Sequence, residues 1–177
     1  MRVIAITGMP GSGKEEFVKI AQKEGFFVVR MGDVVRDEVK RRDLELSDVN
    51  IGNIANSERE KCGMGIWAEK TVPLVKGTLV FIDGIRGDAE LEVFRKAFGG
   101  NMKVVCIQCS SKIRYERIKK RRRKDATMTW EAFCERDERE LGWGIDKALA
   151  LCDYVIENEG TLEEFQDEVR GLLLSLK

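Results

Sequence analysis

A glycine-rich segment near the start of the chain constrains the fold more than any other feature of the sequence. Residues 8–14 read Gly-Met-Pro-Gly-Ser-Gly-Lys, and they lie between an apolar run at residues 3–6 and a helical pattern. A strand, a tight glycine turn and a helix in this order predict a loop whose backbone N–H groups point inward at a phosphate. The start of the helix adds the positive end of its dipole, and Lys14 adds a full positive charge. We therefore expect this segment to bind the phosphates of ATP.

The residue after Lys14 departs from the usual pattern of such loops. Ser or Thr at that position would hold Mg²⁺, whereas this chain has Glu15. A carboxylate suits the helix dipole, but it would repel a nucleotide if it pointed at one. Whether Glu15 contacts the metal stays open. The expected nucleotide contacts in this segment are Gly8, Met9, Pro10, Gly11, Ser12, Gly13, Lys14 and Glu15.

Length and charge limit the classes of protein that fit this sequence. The 177 residues suit one domain, and 31 basic residues balance 31 acidic ones. This balance argues against a general nucleic-acid-binding protein and against a polybasic membrane anchor. No apolar run approaches the ~20 residues of a membrane span, and the chain begins directly with a predicted strand. We expect a cytoplasmic protein with no membrane partner, and its oligomeric state stays open.

The cysteines give a prediction about redox state. There are five, at positions 62, 106, 109, 134 and 152, and the chain has no histidine. An odd number spread through predicted core elements indicates reduced thiols in a cytosolic protein. Cys106 and Cys109 have the spacing of half a zinc site, but no second pair follows and histidine, a common ligand, is missing. We therefore do not expect zinc.

Five apolar, β-rich runs recur along the chain, at residues 3–6, 26–29, 79–82, 104–107 and 154–156. Helical patterns separate them, and no short hairpin turn joins two of them. This alternation predicts an α/β fold, a doubly wound five-stranded parallel sheet covered by helices on both faces. Ligands bind beyond the carboxyl ends of such strands. That edge would bring together the phosphate loop, Asp33 and Asp83.

Two intervals interrupt the simple alternation of strands and helices. Residues 41–77 are long for a crossover and mostly helical in pattern, and residues 121–146 are dense in charge. We predict that residues 41–77 form a helical insertion on the side of the phosphoryl acceptor and that residues 121–146 form a lid-like segment. Enzymes use such segments to close on a substrate and exclude water. Both would belong to a single domain over residues 1–177. Ordinary helical decoration is the alternative for both.

Two stretches resemble nucleoside-monophosphate kinases. Met31-Gly-Asp-Val-Val-Arg36 is similar to their Gly-Asp-x-x-Arg stretch, and the stretch ending Asp83-Gly-Ile-Arg86 is similar to their Asp-Gly-Phe-Pro-Arg segment, one residue shorter. The resemblance implies that Arg36 and Arg86 hold the phosphate of an acceptor, and Asp83 lies where related folds place a metal-organising carboxylate. A surface salt bridge is the alternative for each arginine, and a turn cap is the alternative for Asp83.

The last third of the chain is more similar to dephospho-coenzyme A kinase. It has an Arg117-x-x-x-Arg121 helix, a later Arg136, and the strand end Asp153-Tyr-Val-Ile-Glu-Asn158-Glu-Gly. The chain is identified as a member of the P-loop nucleotide kinase superfamily, and it resembles the archaeal family related to dephospho-coenzyme A kinase and adenylate kinase. The resemblance implies that Arg117 and Asn158 bind the nucleotide, while Arg121 and Arg136 reach its phosphates.

Phosphoryl transfer requires alignment and positive charge around the moving group. Lys14, Arg121 and Arg136 are the candidate catalytic cations. Asp33 would accept a proton if the acceptor were a hydroxyl, and no base is needed if the acceptor is a phosphate. A helix N-cap is the alternative for Asp33.

The sequence therefore predicts a kinase that uses ATP and Mg²⁺ to phosphorylate a nucleotide or nucleotide-like small molecule. A nucleoside monophosphate is favoured slightly over dephospho-coenzyme A because Asp33 and Arg36 keep the monophosphate-kinase spacing. Two other classes stay open. Glu15 favours an ATP-binding regulatory protein with little catalysis, and the basic run at residues 119–124 would suit an RNA-associated protein, although the acidic stretch at residues 135–140 would neutralise it.

Overall fold

The predicted parallel sheet is confirmed in a computed structural model, which describes residues 1–120 and 129–176. The sheet order is β2-β3-β1-β4-β5, and the four neighbouring pairs are parallel. The strands are β1 Arg2–Thr7, β2 Phe27–Arg30, β3 Leu79–Ile85, β4 Met102–Gln108 and β5 Tyr154–Glu157. The central position of β1 follows from its composition, because its residues from Val3 onward are buried and suit a strand that is covered on both faces.

Helices cover both faces of the sheet. They are α1 Lys14–Lys23, α2 Met31–Arg41, α3 Asp48–Cys62, α4 Ile66–Thr71, α5 Asp88–Phe98, α6 Ser111–Lys120, α7 Trp130–Gly142, α8 Ile145–Ala150 and α9 Leu162–Ser175, with short 3-10 turns at Val72–Leu74 and Gly99–Asn101. Side chains of β1 alternate between two cores. Ile4 and Ile6 pack with α1 and α9, while Val3 and Ala5 pack on the opposite face, with α2–α5 and α8. Among the described residues, no helix has both the length and the apolar character needed to cross a membrane.

The interval at residues 41–77 is helical, as its pattern predicts. It contains α3 and α4, which pack on α2, and α4 also packs on α5. Trp67 of α4 is fully buried, and its indole N–H donates to the Ala55 carbonyl of α3 at 3.1 Å. Of the predicted lid-like interval, residues 121–128 lie outside the described residues, and the remainder forms α7 and the start of α8.

The structure brings two of the five cysteines together. The side chains of Cys106 and Cys152 are in contact, with Cα atoms 5.9 Å apart, while Cys62, Cys109 and Cys134 lie apart from them. The two residues are 46 positions apart in sequence, and the pairing of β4 with β5 brings them within the Cα separation that a disulfide allows. The expectation that all five thiols are reduced stays a prediction.

Candidate functional site

The segment at residues 8–14 curls between β1 and α1 in the way that the glycine pattern predicts. Gly11 and Gly13 have φ of 83° and 117°, in the left-handed region that favours glycine. At Gly11 a Cβ atom would lie 2.9 Å from the Arg114 carbonyl oxygen, so only glycine lets α6 approach the loop this closely. Ser12 is fully buried, and its N–H donates to the Met9 carbonyl at 3.1 Å. The helix α1 starts at Lys14, directly after this turn.

Lys14 is a buried cation held against its own loop. Its ammonium group donates to the carbonyl oxygens of Gly8 and, at 3.0 Å, of Met9. Burial lowers the pKa of Lys14 from 10.5 to about 8 because water no longer stabilises the charge. Arg86 lowers this pKa further, and Asp83 raises it in part. A polyphosphate beside Lys14 would restore the balance of charge.

Asp83 lies near the end of β3, beside Arg30 of β2 in the sheet register. Its Oδ1 atom is buried and has no hydrogen-bond partner among the described residues. Burial raises the pKa of the Asp83 carboxyl, and the positive charges of Lys14 and Arg30 oppose that shift. An unpartnered carboxylate oxygen beside a phosphate site fits Mg²⁺, which takes one or two protein carboxylates and completes its octahedron with water and phosphate.

Glu15 is turned toward the end of β2. Its carboxylate accepts hydrogen bonds from both terminal nitrogens of Arg30 at 3.2 to 3.3 Å. This pairing explains how a carboxylate can follow Lys14 without an unbalanced charge. In the part of the chain that the structure describes, no three or more His, Cys, Asp or Glu residues lie close enough together to hold a metal ion.

Helix α7 brings a positive charge toward the phosphate loop. The positive charge of Arg136 is among those that lower the pKa of Lys14. The next residue, Asp137, forms a two-pronged ion pair with Arg114 of α6, whose guanidinium also donates to the Pro10 carbonyl at 3.1 Å. The guanidinium of Arg114 further stacks on Phe133 of α7 at 5.0 Å. Arg121, the other predicted lid cation, lies outside the described residues.

Arg86 follows β3 and is paired with α7. Its guanidinium donates to the Glu140 carboxylate, and Glu140 is only 3% exposed. The other oxygen of that carboxylate, Oε2, is buried and has no hydrogen-bond partner among the described residues. The Arg86 side chain as a whole is 40% exposed, while its guanidinium pairs with this buried carboxylate. The salt-bridge alternative describes the present geometry of Arg86.

Asp33 and Arg36 lie on the first turns of α2, at the same edge of the sheet as Asp83. They form an ion pair at 3.4 Å, with side chains 61% and 42% exposed. The N-cap position of α2 belongs to Arg30, so the alternative that Asp33 caps the helix is wrong. Both groups are thus accessible from solvent at this edge.

Arg117 and Asn158 meet above the loop. The Arg117 guanidinium donates to the backbone and side-chain oxygens of Asn158, each at 3.0 Å. The Asn158 amide nitrogen in turn donates to the Ser12 carbonyl at 2.7 Å. The two residues that the resemblance assigned to nucleotide binding therefore contact each other and support the phosphate loop.

Four charged residues near this site were not singled out by the sequence analysis: Arg59, Glu90, Asp137 and Glu140. Arg59 and Glu90 are 31 positions apart and pair at 3.2 Å, both nearly fully buried. No local pattern reveals such a pair. The signal for Asp137 and Glu140 was the acidic stretch at residues 135–140, which pointed to neutralised cations without showing which ones.

Comparison with known proteins identifies the family of this chain. The family described as AAA domain matches residues 4–141. A UPF0200/UPF0201 protein of Archaeoglobus fulgidus is 44% identical over 99% of this chain, and the chain spans 56% of that relative's length. A UPF0200 protein of Thermoplasma acidophilum is 48% identical, with 97% of this chain and 94% of the relative covered.

Among solved structures, a shikimate kinase from Acinetobacter baumannii in complex with shikimate is similar in fold. Its TM-score is 0.60 at 16% sequence identity, and the alignment covers 100% of this chain and 95% of that one. The predicted superfamily and fold class are thereby confirmed. The chain is a member of the UPF0200 family and carries an AAA domain of the P-loop kinase superfamily.

Proposed function

We propose that this protein is an ATP-dependent kinase that transfers the γ-phosphate of ATP to a nucleotide or nucleotide-like small molecule. The observation that supports this proposal best is the set of charges around Lys14. Asp83 of β3, Arg86 after β3, and both Arg136 and Glu140 of α7 act on the charge of that one buried ammonium group. Structural ion pairs seldom bring several elements to a single glycine-rich turn, whereas phosphoryl transfer requires this concentration of charge.

Each residue would have a defined task in the reaction. The loop N–H groups and Lys14 bind the β- and γ-phosphates. Asp83 would hold Mg²⁺, which when bound neutralises charge on the phosphates. Arg136 lies on the lid side, where it would stabilise the charge that spreads over the moving phosphoryl group. Arg114 and Asp137 fix α7 against the loop, so that Arg136 is presented without a large loss of side-chain entropy.

The acceptor would bind at the edge formed by α2 and β3. Arg36 has an accessible guanidinium, which matches a phosphate in two-pronged geometry. This favours a nucleoside monophosphate. A hydroxyl acceptor, as in a dephospho-coenzyme A kinase-like enzyme, is the second candidate, because Asp33 is exposed, is not a helix cap and could accept the hydroxyl proton. The similar fold of a shikimate kinase agrees with either kind of acceptor.

Release of ADP in a coupled assay tests this function. We expect Mg²⁺-dependent ADP release from ATP with AMP or another nucleoside monophosphate, slower release with dephospho-coenzyme A, and none with the Lys14→Ala variant. Faster turnover of dephospho-coenzyme A would reverse the order of the two acceptors. ATP binding without turnover of either acceptor would favour the regulatory alternative. Salt-sensitive RNA binding would instead support a role for the basic run at residues 119–124, most of which lies outside the described residues.

A further inference from the structure

Trp143 lies at the end of α7, where the chain turns into α8, and two guanidinium groups lie over its ring. The guanidinium of Arg59, from α3, lies 4.8 Å from the ring centroid, and that of Arg86 lies 5.7 Å from it. At these distances the ring attracts both cations. The ring therefore connects the acceptor-side insertion, the end of β3 and the lid helix.

Each of these arginines also pairs with a buried carboxylate. Arg59 pairs with Glu90 at 3.2 Å, and Arg86 pairs with Glu140. Glu90 also accepts a hydrogen bond of 2.6 Å from the Arg86 backbone N–H. We call Arg59, Arg86, Glu90, Glu140 and Trp143 the Trp143 cluster. Its two cations and two anions balance, and its members come from α3, α5, α7 and the two connections beside them.

The turn that carries Trp143 packs closely against the connection between β3 and α5. A Cβ atom at Gly87 would collide with the Trp143 carbonyl oxygen, and one at Gly144 would lie 2.6 Å from the Asp88 carboxylate. Gly144 also has φ of 88°, which favours glycine. The end of α7 thus cannot shift without moving the connection between β3 and α5.

We propose that Trp143 is a positioning residue that couples the phosphate side of the site to helix α3, so that ATP bound under α7 orders the acceptor-side insertion. This inference rests on the proposed function. Arg114 joins Asp137 of α7 to the Pro10 carbonyl of the phosphate loop, and Arg136 and Glu140 of the same helix both act on the charge of Lys14. A nucleotide held by Lys14 and Arg136 therefore fixes α7, and Trp143 transmits this restraint through Arg59 to α3. Couplings between two sites typically change an equilibrium about fivefold or more.

Hydrogen exchange of the full chain, with and without Mg²⁺ and ATP, tests the coupling because it reports local opening of each helix. In the wild type, ATP should slow exchange in residues 8–14, in α7 and, by about fivefold, in α3. In Trp143→Leu, residues 8–14 should keep their ATP-dependent protection while α3 loses it. Trp143→Phe, which keeps an aromatic ring, should restore part of the α3 protection and serves if the leucine variant folds poorly.

Trp130→Leu is the matched control. Trp130 lies at the opposite end of α7 and is 42% exposed; it stacks on Phe133 and meets Tyr115 edge to face, and neither of these two rings belongs to the Trp143 cluster. This variant should retain the ATP-dependent protection of α3. Protection of α3 that survives in Trp143→Leu, or a wild type in which ATP protects residues 8–14 but not α3, would overturn the coupling and leave the proposed function intact. Absence of ATP-dependent protection in residues 8–14 would overturn both.

Discussion

The charged residues of this protein form two groups, and the pKa shifts in these groups have different physical causes. The first, which we call the α2–α4 ion network, consists of Glu38, Arg41, Arg42, Glu58 and Lys70. Its contacts are short, with Arg42 joining Glu38 at 2.7 Å and Glu58 at 2.6 Å, and Lys70 reaching Glu58 at 3.1 Å. A hydrogen bond from Arg41, with a further one from Arg42, lowers the pKa of Glu38 to about 2, although burial opposes the shift. Its partners thus stabilise this carboxylate as an anion.

The second group surrounds the phosphate loop, and burial is the main cause of its pKa shifts. Burial lowers the pKa of Lys14 and raises the pKa of Asp83, so both groups are less stable as ions than in water. Asp83 and Glu140 each keep a buried oxygen without a partner among the described residues. The α2–α4 ion network is complete without a ligand, whereas the charges at the phosphate loop require one. Whether its charged groups are fully paired without a ligand therefore distinguishes a structural cluster from a functional one better than the number of charged residues does.

The largest expected effect comes from removing the loop cation. Lys14→Ala should weaken ATP binding by about 100-fold or more, because several charge-assisted hydrogen bonds to phosphate are lost together. Isothermal titration calorimetry with Mg²⁺ and ATP measures this change. Lys70→Ala, which removes an equal charge from the α2–α4 ion network, is the control and should leave ATP affinity unchanged. Equal losses in the two variants would mean that the contrast between the groups is wrong.

Neutralising Asp83 and neutralising Glu38 should change the free energy of unfolding in opposite directions. Asp83→Asn should raise the free energy of unfolding of the ligand-free protein at pH 7, because burial raises the pKa of the Asp83 carboxyl and makes its ionised form costly. The same change should lower Mg²⁺-dependent turnover. Glu38→Gln should lower the free energy of unfolding by about 1–2 kcal/mol and leave turnover unchanged. Urea unfolding together with the ADP-release assay measures both.

The pH dependence of the free energy of unfolding gives a further test of the role of Glu38. The pKa of Glu38 falls from 4.5 to about 2 on folding, so its contribution is complete above pH 4.5 and is lost as the pH falls toward 2. The difference between wild type and Glu38→Gln should therefore shrink between those values. A difference that stays constant down to pH 2 would contradict the role of the arginines.

The smallest expected effect is the uptake of a fraction of a proton when ATP binds. The pKa of Lys14 is about 8 in the free protein, and the phosphates should raise it toward its ordinary value. ATP binding near pH 9 should then take up about half a proton or more, and binding near pH 6.5 should take up almost none from Lys14. Calorimetry in buffers with different ionisation enthalpies measures the uptake. Equal uptake at both pH values would exclude Lys14 as its source.

Local patterns were sufficient to predict the scaffold of the site. Each apolar run became a strand of the parallel sheet, because a strand covered on both faces must be apolar along its whole length. The glycine turn and Lys14 needed only their neighbours in sequence. Strand β3 runs on to Ile85, beyond the predicted end at residue 82, because its pairing with β1 continues past the polar Asp83.

The ion-pair partners of the residues at the site could not be predicted from the sequence. The sequence left Arg86 either as a clamp for an acceptor phosphate or as part of a salt bridge, and it gave no sign of the partner Glu140, 54 positions away. Arg59 and Cys106 likewise contact residues that only the packing of distant elements brings close. Such contacts depend on which helix crosses which, and a single sequence carries no periodic signal for that. The task of each residue at the site therefore followed from the fold rather than from its motif.

The pairing of β4 with β5 has a consequence for the segment between them. Residues 109–153 contain α6, α7 and α8, which include every lid-side group described here. Both ends of this segment are held side by side in the sheet, with Cys106 and Cys152 only 5.9 Å apart at their Cα atoms. A local opening of the lid therefore leaves its two ends in place. Rearrangements of the lid are thereby restricted to movements of its helices between two anchored ends.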